Sequence, residues 1–329
     1  MSADHPEVTI ITPARDSGAF INKCIGSVVM QNFTDWELLI INDGSSDNTC
    51  DIAGSYSSKD PRIFLYDSPG SGVSAARNHG LEMARGRYIT FLDSDDMLEP
   101  DYLSELVSNA VNENADITQC SFCYLYRDGK TVKDTESASG IYTDHKEIMD
   151  AYFSGIIGKI TVACWGKLFR RELIDNMRFD EEITIQEDAF FSFLCCMKAS
   201  KIVCIDTPLY CYLQHPGSTR GRAFDDSKMH YFTIFDRELD MCKDDPSITL
   251  RILTRKLITS FDLMSKIIED DSGKESLGEL RGIALETSDA IRKLGRPDMK
   301  TGMKVFLIRH FPSAYYGLLR IKYGRGRYE

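Results

Sequence analysis

The 329-residue sequence predicts an α/β domain with a mostly parallel sheet flanked by helices, followed by a C-terminal helical region. Three observations predict this fold. Short apolar runs alternate with helical segments along the first part of the chain, two of these runs end in acidic residues, and the apolar spacing becomes helical from about Phe224 onward. We therefore expect an α/β domain over 1–223 and a helical region over 224–329.

The predicted elements follow each other in a strand-then-helix order. Each predicted strand is a short, mostly apolar run, and each predicted helix has apolar residues three or four positions apart. The predicted strands are 8–12, 37–41, 63–66, 88–92, 117–126 and 201–205. The predicted helices are 20–30, 49–57, 74–85, 100–114, 144–154 and one that begins at Glu187. The polar stretch 127–140 predicts a loop or hairpin.

Composition excludes several classes of protein. With 43% hydrophobic and 27% charged residues, the chain is typical of a globular protein and not of a disordered or fibrous one. A net charge of −11 argues against binding to nucleic acid through a general basic surface. We see neither a signal peptide nor an apolar run approaching the roughly 18 residues of a membrane-spanning helix, and we expect a cytoplasmic protein.

The ten cysteines are too dilute for a disulfide scaffold, and most lie inside apolar stretches. We interpret them as reduced core thiols. Cys120 and Cys123 form a CxxC pair, but their segment alternates like a strand, so the two side chains should face opposite sides of the sheet. A metal or redox site at this pair is therefore not expected.

Acidic residues follow two of the predicted strands. Asp43 follows the second strand, and Asp93 and Asp95 follow the fourth. Ligands of open α/β sheets bind outside the carboxyl ends of the strands, so we expect these side chains to converge on one crevice. Clustered carboxylates need a cation or protons, and Asp93-x-Asp95 offers oxygen ligands suited to Mg²⁺ or Mn²⁺ with a diphosphate. The alternative is a solvated acidic turn that caps the next helix.

Two other enzyme classes share parts of this pattern. The glycine-rich turn at Gly70 and Gly72 fits a loose GxGxxA motif, and together with Asp93 it suggests a dinucleotide-dependent dehydrogenase. In that class, however, the glycines follow the first strand, whereas here they follow the third. A strand ending in DxD also suggests a haloacid-dehalogenase-like phosphatase. That class has Gly-Thr directly after the motif, where this chain has Asp96-Met97. Both alternatives stay open at this point.

Four ordered blocks of the sequence resemble family 2 glycosyltransferases of the GT-A fold. They contain VTIITPARDSG with IINDGSSD, SAARN with FLDSDD, WGKLFRREL with IQEDAFF, and PLYCYLQHPGST, and together they cover about 7–220. The resemblance implies an inverting, metal-dependent transfer from a nucleotide-sugar donor, typically a UDP-sugar. It also implies a glycan or lipid-linked saccharide acceptor in cell-surface polysaccharide synthesis. A non-catalytic nucleotide-sugar binding module is the competing possibility.

The resemblance assigns donor-side roles residue by residue. Thr12 and Pro13 would open the nucleotide pocket, and Asp43 would contact the base. Arg77 would contact the nucleotide and Asp93 the ribose.

The remaining roles concern the metal, the acceptor and the reaction itself. Asp95 and His215 would hold Mn²⁺ or Mg²⁺, and Asp188 would be the catalytic base. The acceptor-side residues would be Trp165, Lys167 and Glu187. Where the family often has an Arg before Gly-Ser, this chain has Leu213, so Arg220 or Arg222 would act on the diphosphate from a mobile loop.

The C-terminal segment has a charge opposite to that of the whole chain. Residues 300–329 contain seven basic residues and one acidic residue, interleaved with aromatic and aliphatic side chains. Such a segment is suited to an anionic membrane surface, here the inner face of the plasma membrane. It is equally suited to a terminal helix that packs on the protein with a solvated end.

Overall fold

The computed structural model describes residues 5–68, 70–134, 138–154, 159–215, 224–295 and 299–323. The chain divides into two compact units, Met1–Pro216 and Gly217–Glu329. The domain boundary that we predict at residue 223 lies at the end of 216–223, a stretch that is outside the described residues. The boundary therefore stays a prediction.

The first unit is built on one twisted sheet, to which the described residues contribute ten strands. These are β1 (Val8–Ala14), β2 (Trp36–Asn42), β3 (Ile63–Asp67), β4 (Tyr88–Phe91), β5 (Met97–Leu98), β6 (Ile117–Tyr126), β7 (Thr131–Lys133), β8 (Gly140–Tyr142), β9 (Lys167–Arg170) and β10 (Ile202–Gln214). The strand order is β3-β2-β1-β4-β9-β6-β10-β5, with β7 paired to β6 and β8 to β10.

The sheet is mostly parallel, as predicted. Strands β3, β2, β1 and β4 run in one direction, and β6 runs parallel to β10. The antiparallel strand β9 lies between β4 and β6. The chain moves outward from β1 to β2 and β3 and then returns to β4 on the other side of β1. This switch in direction leaves a crevice at the carboxyl ends of β1, β2 and β4.

Helices of the first unit cover the sheet and bury its apolar strands. They are α1 (Ile21–Val29), α2 (Thr49–Ser57), α3 (Val73–Met83), α4 (Tyr102–Asn112), α5 (His145–Tyr152), α6 (Arg171–Ile174) and α7 (Glu187–Lys198). Strands β1 and β2 are buried along their whole length, as is typical of a sheet covered on both faces. Helix α3 packs closely on β1, because a Cβ at Gly80 would lie 2.4 Å from the Ile11 side chain.

One stretch differs from the prediction and another agrees with it. Strand β10 continues to Gln214 where we expected it to end at residue 205, because the ladder to β6 tolerates Pro208 through a register shift. The polar stretch 127–140 contains β7, which forms the predicted hairpin with β6. Cys120 is part of the core, whereas Cys123 has its Sγ 3.4 Å from that of Cys211.

The described part of the second unit is helical, as predicted. Its helices are α8 (Tyr231–Met241), α9 (Pro246–Asp270), α10 (Leu277–Leu294), α11 (Met299–His310) and α12 (Pro312–Tyr323). The long helix α9 packs on α8, α10 and α12, and its buried side chains include Leu257, Phe261 and Met264. Among the described residues, no helix is both long enough and apolar enough to cross a membrane.

Candidate functional site

The predicted acidic residues lie around the crevice at the carboxyl ends of the parallel strands. Asp43 directly follows β2, and its N–H donates to the Ala14 carbonyl at the end of β1. Asp93 and Asp95 follow β4. The strand order brings these three carboxylates to one edge of the sheet, as the sequence predicts.

Asp43 is held by the glycine-rich turn between β3 and α3. Its side chain is almost fully buried, and the Gly72 N–H donates to its Oδ2 and Oδ1 at 3.1 and 3.3 Å. Gly70 and Gly72 have φ angles of +77° and +102°, which side chains rarely adopt. Arg15 lies 3.8 Å from Asp43 and is more than half exposed. The turn therefore supports a carboxylate whose oppositely charged partner, Arg15, is the residue directly after β1.

The loop after β1 is fastened to the loop after β2. Asp16 accepts hydrogen bonds from the Ser46 N–H and hydroxyl, and Asp47 accepts one from the Gly18 N–H at 2.8 Å. Thr12 and Pro13 lie beneath these loops in the buried end of β1. In the described part of the chain, Thr12 Oγ1 has no hydrogen-bond partner.

The turn 93–96 is anchored to several different segments. Asp93 accepts from the Arg77 guanidinium at 3.0 Å, and the Ser94 hydroxyl is 2.7 Å from that of Ser17. Asp95 lies 2.9 Å from His215, and Asp96 faces β10. A turn held at every residue presents its carboxylates in a fixed arrangement.

Asp96 is a supporting residue that sequence reasoning missed. It is fully buried, and its carboxylate accepts from the Tyr210 hydroxyl at 2.7 Å and from the Leu213 N–H at 2.8 Å. Burial, with the charges of Asp95 and Asp93, raises the pKa of Asp96 well above its ordinary value. Asp96 thereby ties the turn to the strand that leads to His215.

We expect Tyr210→Phe to lower the free energy of unfolding by about 1–3 kcal/mol, because it leaves a buried Asp96 oxygen without its donor. The measurement is urea denaturation. The control is Tyr56→Phe, whose hydroxyl bonds to Asn22 at an exposed position and whose loss should cost less than about 0.5 kcal/mol. Equal costs for both variants would contradict the supporting role of Tyr210.

Asp95 and His215 form a pair with the donor set of a divalent-metal site. His215 Nε2 lies 2.9 Å from Asp95 Oδ2, and the His215 ring packs against the Phe20 ring with the ring centroids 4.8 Å apart. Burial and the Asp93 charge raise the pKa of Asp95, which indicates that a cation beside it would be favourable. The described residues contain no cluster of three or more metal-ligating side chains. The pair thus fits a metal whose other ligands are water and phosphate oxygens.

A buried arginine joins two distant parts of the crevice. Arg77, on α3, donates to Asp93 at 3.0 Å and to Glu187 at 2.7 Å, and its side chain is 4% exposed. Glu187 begins α7, more than a hundred residues further along the chain. Arg77 therefore connects the turn after β4 to the start of α7.

Asn78 supports the same connection from the next position of α3. Its side-chain amide donates to the Phe179 carbonyl at 2.9 Å and accepts from the Phe179 N–H at 2.8 Å. It also donates to Glu181. These bonds hold the segment that leads into α7, and the only sequence signal for them was the SAARN block.

Asp188 lies in the first turn of α7, next to Glu187. Burial and the neighbouring Glu187 charge raise the pKa of Asp188 to about 7, while Arg77 opposes the rise. Helix N-termini favour carboxylates, and Asp188 accepts from the Ala189 N–H at 2.8 Å. A carboxylate with a pKa near neutrality is suited to taking up a proton at physiological pH.

The three acceptor-side residues occupy different environments. Trp165 is half-buried and stacks on Tyr210 with ring centroids 4.6 Å apart. Glu187 is engaged by Arg77. Lys167 is fully buried, and its ammonium donates to the Thr161 carbonyl and hydroxyl and to the Ala163 carbonyl.

The structure therefore does not bring Lys167 to the crevice surface, in contrast to our expectation for an acceptor contact. Its ammonium instead fastens the segment that precedes Trp165, and burial lowers its pKa. Arg220 and Arg222 lie outside the described residues.

Comparison with known proteins identifies the family. Residues 9–178, more than half of the chain, match the profile described as glycosyl transferase family 2. The chain is 34% identical over 218 residues to EpsH of Bacillus subtilis, a protein provisionally named as a glycosyltransferase. It is 30% identical over 220 residues to the cholesterol galactosyltransferase of Borreliella burgdorferi. These matches cover 65% and 64% of this chain but only 62% and 61% of the two relatives.

Among solved structures, the fold is similar to that of TarS from S. aureus. The crystal structure of TarS residues 1–349 with UDP-GlcNAc matches with a TM-score of 0.73 at 18% identity, covering 98% of this chain and 93% of that one. The same TarS segment with UDP matches with a TM-score of 0.71. The likeness confirms the predicted fold class with its C-terminal helical region.

Proposed function

The chain belongs to glycosyl transferase family 2, and from this we propose that it transfers a sugar from a UDP-sugar to a hydroxyl of a glycan or lipid-linked saccharide, with inversion at the anomeric carbon. The observation that carries the proposal is the arrangement around Arg77. Arg77 ties the acidic turn after β4 to the first turn of α7, so that Asp93 and Asp188 belong to one crevice.

The donor would bind along the carboxyl ends of β1, β2 and β4. Asp43 would accept a hydrogen bond from the base, near Thr12 and Pro13, and Asp93 would face the ribose. Two hydrogen bonds of the Arg77 guanidinium go to protein carboxylates, those of Glu187 and Asp93. Arg77 would therefore act on the nucleotide indirectly, by positioning Asp93. UDP is the preferred nucleotide because TarS, with a similar fold, was crystallised with UDP and UDP-GlcNAc.

Asp95 and His215 would hold Mn²⁺ or Mg²⁺ together with the donor diphosphate. The bound cation would balance the charge that develops on the departing diphosphate. The two side chains are already 2.9 Å apart, and Asp96 fixes both the turn and the end of β10 that present them. Arg220 and Arg222 would add positive charge near the diphosphate.

Asp188 would act as the general base. It would take the proton of the acceptor hydroxyl while that oxygen forms a bond to the sugar C1. The bond from C1 to the diphosphate oxygen breaks on the opposite face, so UDP departs and the configuration inverts. Trp165 and Glu187 would line the acceptor side, where the Trp165 face offers an apolar platform.

The proposed acceptor is a bacterial glycan or lipid-linked saccharide for a surface polysaccharide. Membership of the family supports it, and the relative named for transfer to cholesterol supports only that the acceptor contains a lipid. An enzyme with such an acceptor would work in the cytoplasm at the inner face of the plasma membrane.

The proposal is tested by measuring UDP release from a panel of UDP-sugars in the presence of Mn²⁺ and a bacterial glycolipid extract. We expect one donor to give UDP release that the extract stimulates. GDP-sugars and CDP-sugars are the controls. No release above the protein-free rate from any donor would contradict the proposed activity.

Metal binding should depend on the nucleotide, because among the described residues the proposed site has two ligands, Asp95 and His215. Electron paramagnetic resonance of free Mn²⁺ is expected to show weak binding to the protein alone and at least about tenfold tighter binding with UDP. Asp95→Ala and His215→Ala should abolish this gain. His145→Ala, which alters an exposed helix start, is the control. Equally tight Mn²⁺ binding without UDP would contradict the shared site.

The alternative classes make different predictions. In a dehydrogenase the Gly72 N–H would be directed to a pyrophosphate, but here it donates to Asp43. In a phosphatase Asp93 would be a nucleophile, but here it is paired with Arg77. A non-catalytic sugar-nucleotide binding module would bind UDP with Mn²⁺ and release no UDP from any donor.

A further inference from the structure

Helices α11 and α12 carry an apolar surface that the described part of the second unit leaves exposed. We call it the apolar band, and it consists of Met303, Phe306, Phe311, Leu318 and Ile321. These side chains are between 49% and 60% exposed. They come from a segment of only 19 residues, which makes this the densest group of exposed large hydrophobic side chains in the described chain.

The band is separate from the faces that hold the two helices in place. Val305, Ile308, Tyr315 and Leu319 are buried, and α12 packs on α9. Helix α11 is therefore apolar on both sides, with one side covered and the other exposed. Exposed apolar side chains grouped in this way are typical of an interaction site.

The exposed side chains lie in two pairs, one on each helix, with Phe311 between the pairs in the chain. Met303 and Phe306 are three positions apart on α11, and Leu318 and Ile321 are three apart on α12, so each pair lies on one helix face. Phe311, in the connection between the helices, lies with its ring 6.1 Å from that of Phe306. His310 lies 4.9 Å from Phe306 and extends the aromatic part of the band.

We propose that the apolar band docks the protein on an anionic lipid bilayer surface. Residues 300–329 contain seven basic residues and one acidic residue, so the band lies within the most positively charged segment of an otherwise acidic chain. Apolar side chains that enter the interface, flanked by cations that approach lipid phosphates, are typical of peripheral binding. The proposal is independent of the transfer reaction.

A second copy of the chain fits the band less well. Two identical bands facing each other would bring together two segments that each have a strong positive charge, and like charges at an interface are unfavourable.

The two helices are too short to span a bilayer, since each has 12 residues where about 20 are needed. The band is therefore suited to lying in the interface.

The test is co-sedimentation of the full chain with vesicles. We expect the protein to bind vesicles of phosphatidylcholine mixed with phosphatidylglycerol and to bind pure phosphatidylcholine vesicles more weakly. High salt should weaken the binding to the anionic vesicles. Light scattering of the free protein reports the oligomeric state in parallel. No binding to the anionic vesicles would overturn the proposal.

The decisive variants remove the band without touching the buried faces. Phe306→Ser, Leu318→Ser and Ile321→Ser combined should lower partitioning on the order of a hundredfold. The matched control is the triple change of Met241, Ile258 and Leu294 to Ser, which removes three exposed apolar side chains from the same unit. It should bind as the wild type does. Circular dichroism checks that both triple variants are folded.

The charged residues are tested separately. Arg320→Gln with Lys322→Gln should weaken binding by about twenty-five-fold, since each cation near an anionic surface contributes on the order of fivefold. Equal losses in the band and control triples, or an unchanged affinity in the charge variant, would overturn the proposal. A wild-type dimer that becomes a monomer in the band triple would also overturn it, because a second copy would then be the partner.

Discussion

Asp188→Asn is expected to lower kcat for sugar transfer by about a thousandfold while leaving the affinity for UDP and Mn²⁺ unchanged. The reason is that asparagine keeps the size of the side chain but cannot accept the proton of the attacking hydroxyl. Asp188 lies at the start of α7, on a different element from the Asp95 and His215 pair. The measurements are UDP release under saturating donor and calorimetric binding of UDP.

The control for this variant is Glu182→Gln, an exposed carboxylate in the segment that precedes α7. It should retain the wild-type rate within about twofold, since exposed substitutions usually have small effects. Unchanged turnover in Asp188→Asn would rule out Asp188 as the base. Loss of UDP binding together with turnover would mean that the residue acts on the donor.

The same residue sets a pH dependence. Because burial and Glu187 raise the pKa of Asp188 to about 7, kcat/KM should rise as the pH increases through about 7 and level off above it. The folded pKa lies above the unfolded one, so the folded state binds more protons between about pH 4 and pH 7, and stability falls as the pH rises through this window. Asp188→Asn should therefore gain more thermal stability over the wild type at pH 8 than at pH 5.

Arg77→Met is expected to lower the free energy of unfolding by about 3 kcal/mol, because it leaves Asp93 and Glu187 in the crevice without their buried cation. It should also shift the pH profile. Arg77 lowers the pKa of Asp188, so without it the rise in kcat/KM should move to a pH above the wild-type value. Urea denaturation and the pH dependence of UDP release measure the two effects.

The matched control is Arg87→Met, which removes an ion pair to Glu7 in which the arginine is 49% exposed. Exposed pairs contribute at most about 1 kcal/mol, and this one lies outside the crevice, so the pH profile should stay unchanged. A loss of stability in Arg77→Met no larger than in this control would show that Arg77 is not a buried connection.

The parallel sheet was predictable because its strands are buried on both faces and therefore appear as short apolar runs. The acids after β2 and β4 could be placed in one crevice by the rule that ligands bind at the carboxyl ends of such strands. In contrast, β10 could not be predicted over its full length. A proline inside a strand usually ends it, and only the ladder to β6 shows that Pro208 is tolerated.

Long-range side-chain contacts were the least predictable part of the site. Arg77 and Glu187 are 110 positions apart, and no local pattern signals that one donates to the other. The sequence offered only the resemblance, which assigned Arg77 to the nucleotide. Asp96 was likewise interpreted as part of an acidic turn, because its burial against Tyr210 depends on β10.

Lys167 shows why residue type alone is an unreliable guide to exposure. The resemblance assigned Lys167, two positions after Trp165, to the acceptor side. Lysines are almost never fully buried without partners. Here three oxygen atoms of Thr161 and Ala163 satisfy the ammonium inside the protein. These hydrogen bonds depend on the path of the segment before β9. That segment has no periodic sequence pattern from which its path could be predicted.

The most direct test of the central claim is a calorimetric titration of the purified chain with UDP, GDP, CDP and NAD, each with and without Mn²⁺. The expected result is that UDP binds most tightly, that Mn²⁺ strengthens its binding, and that Asp95→Ala abolishes the effect of the metal. Metal-independent binding of NAD, or no binding of any nucleotide, would contradict a UDP-sugar site at the carboxyl ends of β1, β2 and β4.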